Sequence, residues 1–300
     1  MNFSLLDSIL AAEKGVLATI TGARGHTYKK IGHQALYVPG RIEPVHGNLG
    51  ALCADQEILA RVETALAEVK PGVLTVDSSD EADALVGTGS GCGGTIELLL
   101  EPVLDAHKQI YARLDSHLAD GPPVFLVHEV ESGDLRIEER EPAKATTRYV
   151  ERVKPLTPLY LFGATPLARR LVSLAAEMDF VVHLVDWREA FLDLFRGIPR
   201  LRLHLESADP PAHACTVILS HGFERDLGAL RAALLAGCRY VGVLSSRGRR
   251  ERMFAVLTDE GFSQDKLEGV HSPIGLDIGA RSDPEIAMSI MAEIVAHLKS

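Results

Sequence analysis

Leu159-Tyr160-Leu161-Phe162-Gly163-Ala164-Thr165-Pro166-Leu167-Ala168 is the stretch on which the fold turns. Four large apolar residues closed by a glycine read as a buried strand. Pro166 then suits the first position of a helix, where its missing N–H would have had no partner anyway. The helix is expected over 166–176, and 181–185 is the next apolar strand. Segments 216–219, 226–236 and 240–244 repeat strand, helix, strand. Such alternation predicts an α/β architecture: a parallel sheet with helices on both faces, a Rossmann-like doubly wound domain over residues 156–300.

The same stretch has the context of a dinucleotide fingerprint, a strand followed by a glycine turn and a helix. Gly163 fills the first glycine position. Thr165 stands at the second, where a side chain obstructs a pyrophosphate, and Ala168 fills the third. Asp186 ends the following strand, about 20 positions on, where ribose hydroxyls are read. Two readings stay open: NAD(P) binding, or a Rossmann fold used as scaffold or dimer surface. Ser220-His221-Gly222 follows a strand at the carboxyl edge and makes His221 a candidate ligand contact. Ser245-Ser246-Arg247-Gly248-Arg249-Arg250 also leaves a strand and opens a helix. That suits an anion with Arg247 as a contact, and a solvated charged turn is the alternative. His183 and His204 stand among apolar residues and read as core or rim histidines.

Upstream the rhythm is mixed. Phe3, Leu5, Leu6, Ile9 and Leu10 make one helical stripe, and strands are expected at 16–21, 35–38, 73–76 and 95–100. Helices are expected at 54–69 and 103–118, and a hairpin pairs 124–128 with 135–138. Residues 139–157 are charged and punctuated by Pro142 and Pro155, which places the domain boundary there and gives an N-terminal mixed α/β domain over 1–150.

Two loops of that domain carry chemistry. Gly87-Thr88-Gly89-Ser90-Gly91-Cys92-Gly93-Gly94 precedes the strand at 95–100. So many glycines are entropically costly in a mere turn, whereas they allow backbone N–H groups to converge on an anion. A thiol held among such donors is drawn toward thiolate, a ligand or a nucleophile. A plain flexible loop with an incidental thiol is the alternative. Cys53 stands at the start of the helix expected over 54–69, near the positive end of its dipole, or is simply a small buried residue there.

Gly91-Cys92-Gly93-Gly94 with Ile96, Glu97, Glu101 and Pro102 resembles a signature of the XdhC/CoxI family. Residues 47–57, with Cys53 at the cysteine position, resemble a second segment of that family. Further likeness lies at 18–32, at 240–247 and in Pro273-Ile274-Gly275-Leu276-Asp277-Ile278-Gly279-Ala280-Arg281. The order is kept through most of the chain. The departures are His26-Thr27-Tyr28-Lys29-Lys30 where the family has proline and arginine, and Gly50-Ala51-Leu52 where two glycines precede the cysteine. The resemblance implies a factor that binds molybdenum cofactor, helps its sulfuration and delivers it to a molybdenum hydroxylase such as xanthine dehydrogenase. A cysteine desulfurase as partner and a homodimeric state go with it. Cys92 and Cys53 are then contacts of the cofactor and its metal, with Gly91, Gly93 and Gly94 around its phosphate. The rival readings are an NAD(P)-dependent oxidoreductase and a scaffold paralogue that binds no cofactor.

Composition bounds these readings. The 300 residues carry a net charge of -10, which speaks against a nucleic-acid partner. No apolar run reaches the roughly 20 residues of a membrane span, and the start lacks the pattern of a signal peptide, so a cytoplasmic protein is expected. The four cysteines fall in no CxxC pair, which fits neither a disulfide scaffold nor a structural zinc site.

Overall fold

The computed structural model describes residues 1, 3–49, 55–77, 94–178 and 180–299. The chain divides into two compact units, Met1–Pro155 and Leu156–Ser300.

In the first unit, α1 (Phe3–Ala11) buries the expected stripe of Phe3, Leu5, Leu6 and Ile9. It leads into β1 (Val16–Gly25), a ten-residue strand at the centre of an antiparallel sheet. The other strands are β2 (Gln34–Tyr37), β3 (His46–Gly47), β4 (Gly72–Asp77) and β5 (Gly94–Pro102), in the order β3-β2-β1-β5-β4. Helix α2 (Asp55–Glu68) lies between β3 and β4 in sequence and covers one sheet face, where Ile58, Val62 and Ala65 meet Val16, Ala18, Ile20, Leu98 and Leu100. Leu17, Leu36 and Leu99 point to the other face and are equally buried, so both faces are covered. Helix α3 (Asp105–Asp120) packs against α1.

The hairpin forms as expected from β6 (Val124–Glu129) and β7 (Leu135–Glu138), in register Leu126 to Ile137. A third strand, β8 (Arg148–Val153), pairs with the other edge of β6. It falls in the charged segment read from sequence as a boundary. Its inward residues are Glu151 and Val153, so a buried carboxylate replaced the apolar alternation that would have marked a strand. Glu151 is matched by the Met1 ammonium at 2.8 Å and the Gln34 amide at 3.1 Å. Close by, His128 of β6 meets Glu101 of β5 through Nδ1 and Oε2 at 2.7 Å, with both groups buried.

The second unit is the doubly wound domain. All five strands are parallel, in the order β11-β10-β9-β12-β13. They are β9 (Thr157–Phe162), β10 (Phe180–Asp186), β11 (Arg202–Leu205), β12 (Cys215–Ile218) and β13 (Tyr240–Val243). Helix α4 (Pro166–Ala176), α5 (Glu189–Asp193), α6 (Phe223–Ala236), α7 (Arg247–Asp259), α8 (Gln264–Glu268) and α9 (Asp283–Lys299) complete it. On one face α4 and α9 bury Leu167, Leu171, Ile290 and Ile294 against Leu159, Leu161 and Val217. On the other, α6 and α7 bury Leu230, Ala233 and Met253 against Ile218, Val241 and Val243.

Strands β10 and β11 are added on one side of β9 and β12 and β13 on the other, so the strand order reverses between β9 and β12, and this switch point lies at the carboxyl ends of both strands. Residues 206–214, which join β11 to β12, form neither helix nor strand. The face over β10 and β11 is therefore covered by loop residues such as Ala208 and Ala214, beside a stack of Tyr160, His183 and His204. His183 Nδ1 and His204 Nε2 lie 3.0 Å apart, so these histidines satisfy each other.

Candidate functional site

The turn after β9 places Gly163 at φ +117°, and a Cβ there would lie 2.8 Å from the Ser220 nitrogen. Only glycine fits, because the β9 and β12 turns touch at the switch point. Immediately beyond, three backbone donors are engaged within the protein. Ala164 N–H donates to Asp186 at 2.7 Å and Thr165 N–H to the Gly163 carbonyl at 3.0 Å. Pro166 has no N–H, and the Ala168 N–H is capped by Thr165 Oγ1 at 3.1 Å. Three of the amides that can face a pyrophosphate in dinucleotide-binding folds are therefore bonded within the protein.

Asp186, expected at ribose hydroxyls, is buried at 2% exposure. Besides Ala164 it accepts the Arg188 backbone N–H at 2.9 Å, Arg188 Nε at 2.9 Å and Arg188 Nη2 at 2.8 Å. Four donors saturate a carboxylate. Burial pushes its pKa up, but the bonds from Arg188 and Ala164 outweigh that and hold it below the ordinary value. The Arg188 guanidinium lies 4.5 Å from the Trp187 ring centre and 3.8 Å from that of Phe191.

Across the switch point, Ser220 Oγ donates to the buried carboxylate of Asp226, which also takes Arg249 Nη2 at 2.5 Å. Burial pushes Asp226 up to about 6, with Ser220, Arg249 and His221 opposing. Arg249 reaches the His221 carbonyl at 3.2 Å, while the His221 side chain is exposed. Of the arginine cluster, Arg250 turns in to the Ser272 carbonyl at 2.6 Å. Arg247 stays exposed and pairs with Glu251 at 2.9 Å.

In the first unit Gly94 opens β5 opposite Gly25, and a Cβ there would meet the His26 carbonyl at 2.4 Å. Cys53, Gly91, Cys92 and Gly93 lie outside the described residues. The other two thiols are sequestered. Burial pushes Cys215 up to about 12, and it also raises the half-buried Cys238. Among the described residues no cluster of His, Cys, Asp and Glu has the makings of a metal site, and no helix is long and apolar enough to cross a membrane.

The carboxyl edge that the sequence marked with Gly163, Asp186 and Ser220 holds a cavity. It measures about 320 Å³ and is bounded by Gly163, Trp187, Glu206, Glu224, Arg225 and Gly228, among others. Trp187, Glu206, Glu224, Arg225 and Gly228 are lining residues that the sequence reading did not single out.

These features define a two-unit α/β protein whose second unit is a Rossmann-type domain with an open switch point and an occupied pyrophosphate position. The chain belongs to the XdhC and CoxI family: residues 9–77 match the model of that family, and residues 159–294 match the XdhC Rossmann domain. It is 26% identical to a Bacillus subtilis (strain 168) protein named as a probable xanthine dehydrogenase subunit, over 97% of this chain and 96% of the relative. The molybdenum cofactor insertion chaperone PaoD of Escherichia coli (strain K12) is 24% identical, over 68% of this chain and 60% of PaoD. A crystal structure described as a xanthine dehydrogenase from Bacillus halodurans superposes with a TM-score of 0.78 at 25% identity, covering 100% of this chain and 96% of that one.

Proposed function

We propose that this chain is an accessory factor that binds molybdenum cofactor and supports its sulfuration and insertion into a xanthine dehydrogenase- or CO dehydrogenase-type enzyme. The observation that carries the reading is the likeness along nearly the whole chain to a relative named for xanthine dehydrogenase, joined by likeness to an insertion chaperone. Cys92 and Cys53 are the proposed contacts to the cofactor's soft sulfur and metal, and Gly91, Gly93 and Gly94 the proposed cradle for its phosphate. In this reading residues 1–150 form the cofactor-handling domain and 156–300 a Rossmann-like domain presenting the exposed His221 and Arg247. The protein works as a homodimer in the cytoplasm, with the client hydroxylase and a cysteine desulfurase as partners. It binds and delivers rather than catalyses. The oxidoreductase alternative is disfavoured by the engaged amides and the saturated Asp186 beside Gly163.

The test is cofactor retention by purified Cys92→Ala and Cys53→Ala proteins, read as pterin fluorescence after oxidation, with circular dichroism to verify folding. Cys92→Ala should lose most of the bound pterin and lower the yield of active hydroxylase while staying folded. Full retention by both variants overturns the assignment.

A further inference from the structure

The loop that leads into α9 is bonded at both ends. Gly275 N–H donates to the Glu293 carboxylate at 2.9 Å, and Glu293 also takes the Tyr240 hydroxyl at 2.5 Å and lies 3.2 Å from His271 Nδ1. Leu276 N–H donates to the Ser289 carbonyl at 3.2 Å. At the far end the Arg281 and Ser282 N–H groups both donate to Glu285 at 2.9 Å. Ile274, buried at 7% exposure, anchors the stretch in the core. A loop held in this way presents its side chains to a partner with little further loss of conformational freedom.

Those side chains are apolar. Leu276 is 42% exposed, Ile278 55% and Met288 60%. The bond from Leu276 to Ser289 sets Leu276 alongside the turn of α9 that carries Met288. Scattered exposed apolar residues are ordinary, but several gathered on one braced loop and the adjoining helix turn mark an interaction surface. Asp277, Arg281 and Asp283 are exposed around them, and none of the three forms an ion pair among the described residues.

The occupant follows from the charges. Both signs are present around one apolar centre, unpaired within the chain. A partner of a single sign would satisfy one and repel the other. A second copy turned by a two-fold axis satisfies both, because in such a contact residue i meets j while j meets i. We propose that residues 275–281 and the start of α9 form a two-fold interface between two copies of this chain. Leu276, Ile278 and Met288 lie at its centre, and Arg281 pairs across it with the partner's Asp277 or the partner's Asp283. The homodimer itself belongs to the reading above, on which this rests; the surface that makes it is the new element.

The test is sedimentation equilibrium of the full chain across micromolar concentrations, with circular dichroism to verify folding. Wild type should show a monomer–dimer equilibrium. Ile278→Glu should raise the dimer dissociation constant about tenfold or more, since it buries a charge at the centre. Arg281→Glu should be monomeric, and so should the double variant Asp277→Arg with Asp283→Arg, because each sets like charges against each other. Mixed together, these two proteins should form a heterodimer, since every cross-interface pair is then of opposite sign. A monomeric wild type overturns the surface and the homodimer together, while pterin retention on the same samples tests the cofactor assignment separately. A dimer that persists in folded Ile278→Glu overturns the surface alone, as does failure of the mixed variants to associate. Loss of hydroxylase activation by an Ile278→Glu protein that remains dimeric would overturn it too, and would assign this face to the client enzyme.

Discussion

Oδ2 of Asp186 accepts the backbone N–H of Ala164 at 2.7 Å, tying the end of β10 to the turn after β9. With Arg188 on the same carboxylate, an acidic residue in a ligand-reading position has become part of the framework. Asp186→Ala leaves the guanidinium and an amide unpaired and should lower unfolding free energy by about 2–4 kcal/mol at pH 7. The folded pKa is depressed, so this stability is present above the unfolded value and lost as pH falls through the folded one. Urea titrations at pH 7 and toward pH 3 should show the gap between wild type and variant closing in acid.

Asp226 titrates in the opposite sense. Its folded pKa of about 6 lies above the unfolded value, so its contribution is full in acid and is lost as pH rises from about 4 through 6. Wild type should lose up to about 3 kcal/mol over that window relative to Asp226→Asn, whose profile lacks this component. Parallel stability profiles for the two proteins would contradict it.

For His128, burial pushes the pKa down, but the charge and hydrogen bond of Glu101 outweigh that and raise it. A histidine with a raised folded pKa stabilises fully below about 6.5 and loses that contribution as pH climbs through the folded value. Melting temperature should therefore decline in wild type as pH rises above about 6.5, and this decline should be absent from His128→Gln.

Two glycines test the backbone geometry. Gly163→Ala forces a Cβ against the Ser220 amide at φ +117°, and Gly94→Ala forces one against the His26 carbonyl. Each should cost about 2 kcal/mol or more in denaturant titrations, because the obstructing atoms are backbone and cannot turn aside.

Thiol chemistry should separate the cysteines. With its pKa pushed up to about 12 and its side chain buried, Cys215 should stay unalkylated by iodoacetamide at pH 8 until the chain is unfolded. Peptide mass spectrometry on native and denatured protein reads this directly, and native labelling of Cys215 would contradict the buried placement.

The alternation of strand, helix and strand over residues 159–185 and 216–244 marked four of the five parallel strands, because successive parallel strands need helical crossovers; the fifth, Arg202–Leu205, was not read. The hairpin at β6 and β7 was equally legible from its turn residues. Strand β8 was not, because its inward Glu151 is paid for by Met1 and Gln34, residues more than a hundred positions away. The same distinction governs the site. Sequence alone placed Gly163, Asp186 and His221 at the carboxyl edge, where strand order puts them. Only the tertiary structure decided that Asp186 is saturated, that the Ala164 and Ala168 N–H groups are bonded within the protein, and that a cavity opens beside Trp187. Hydrogen-bond partners and cavities arise where distant segments meet, and local pattern carries no record of that meeting.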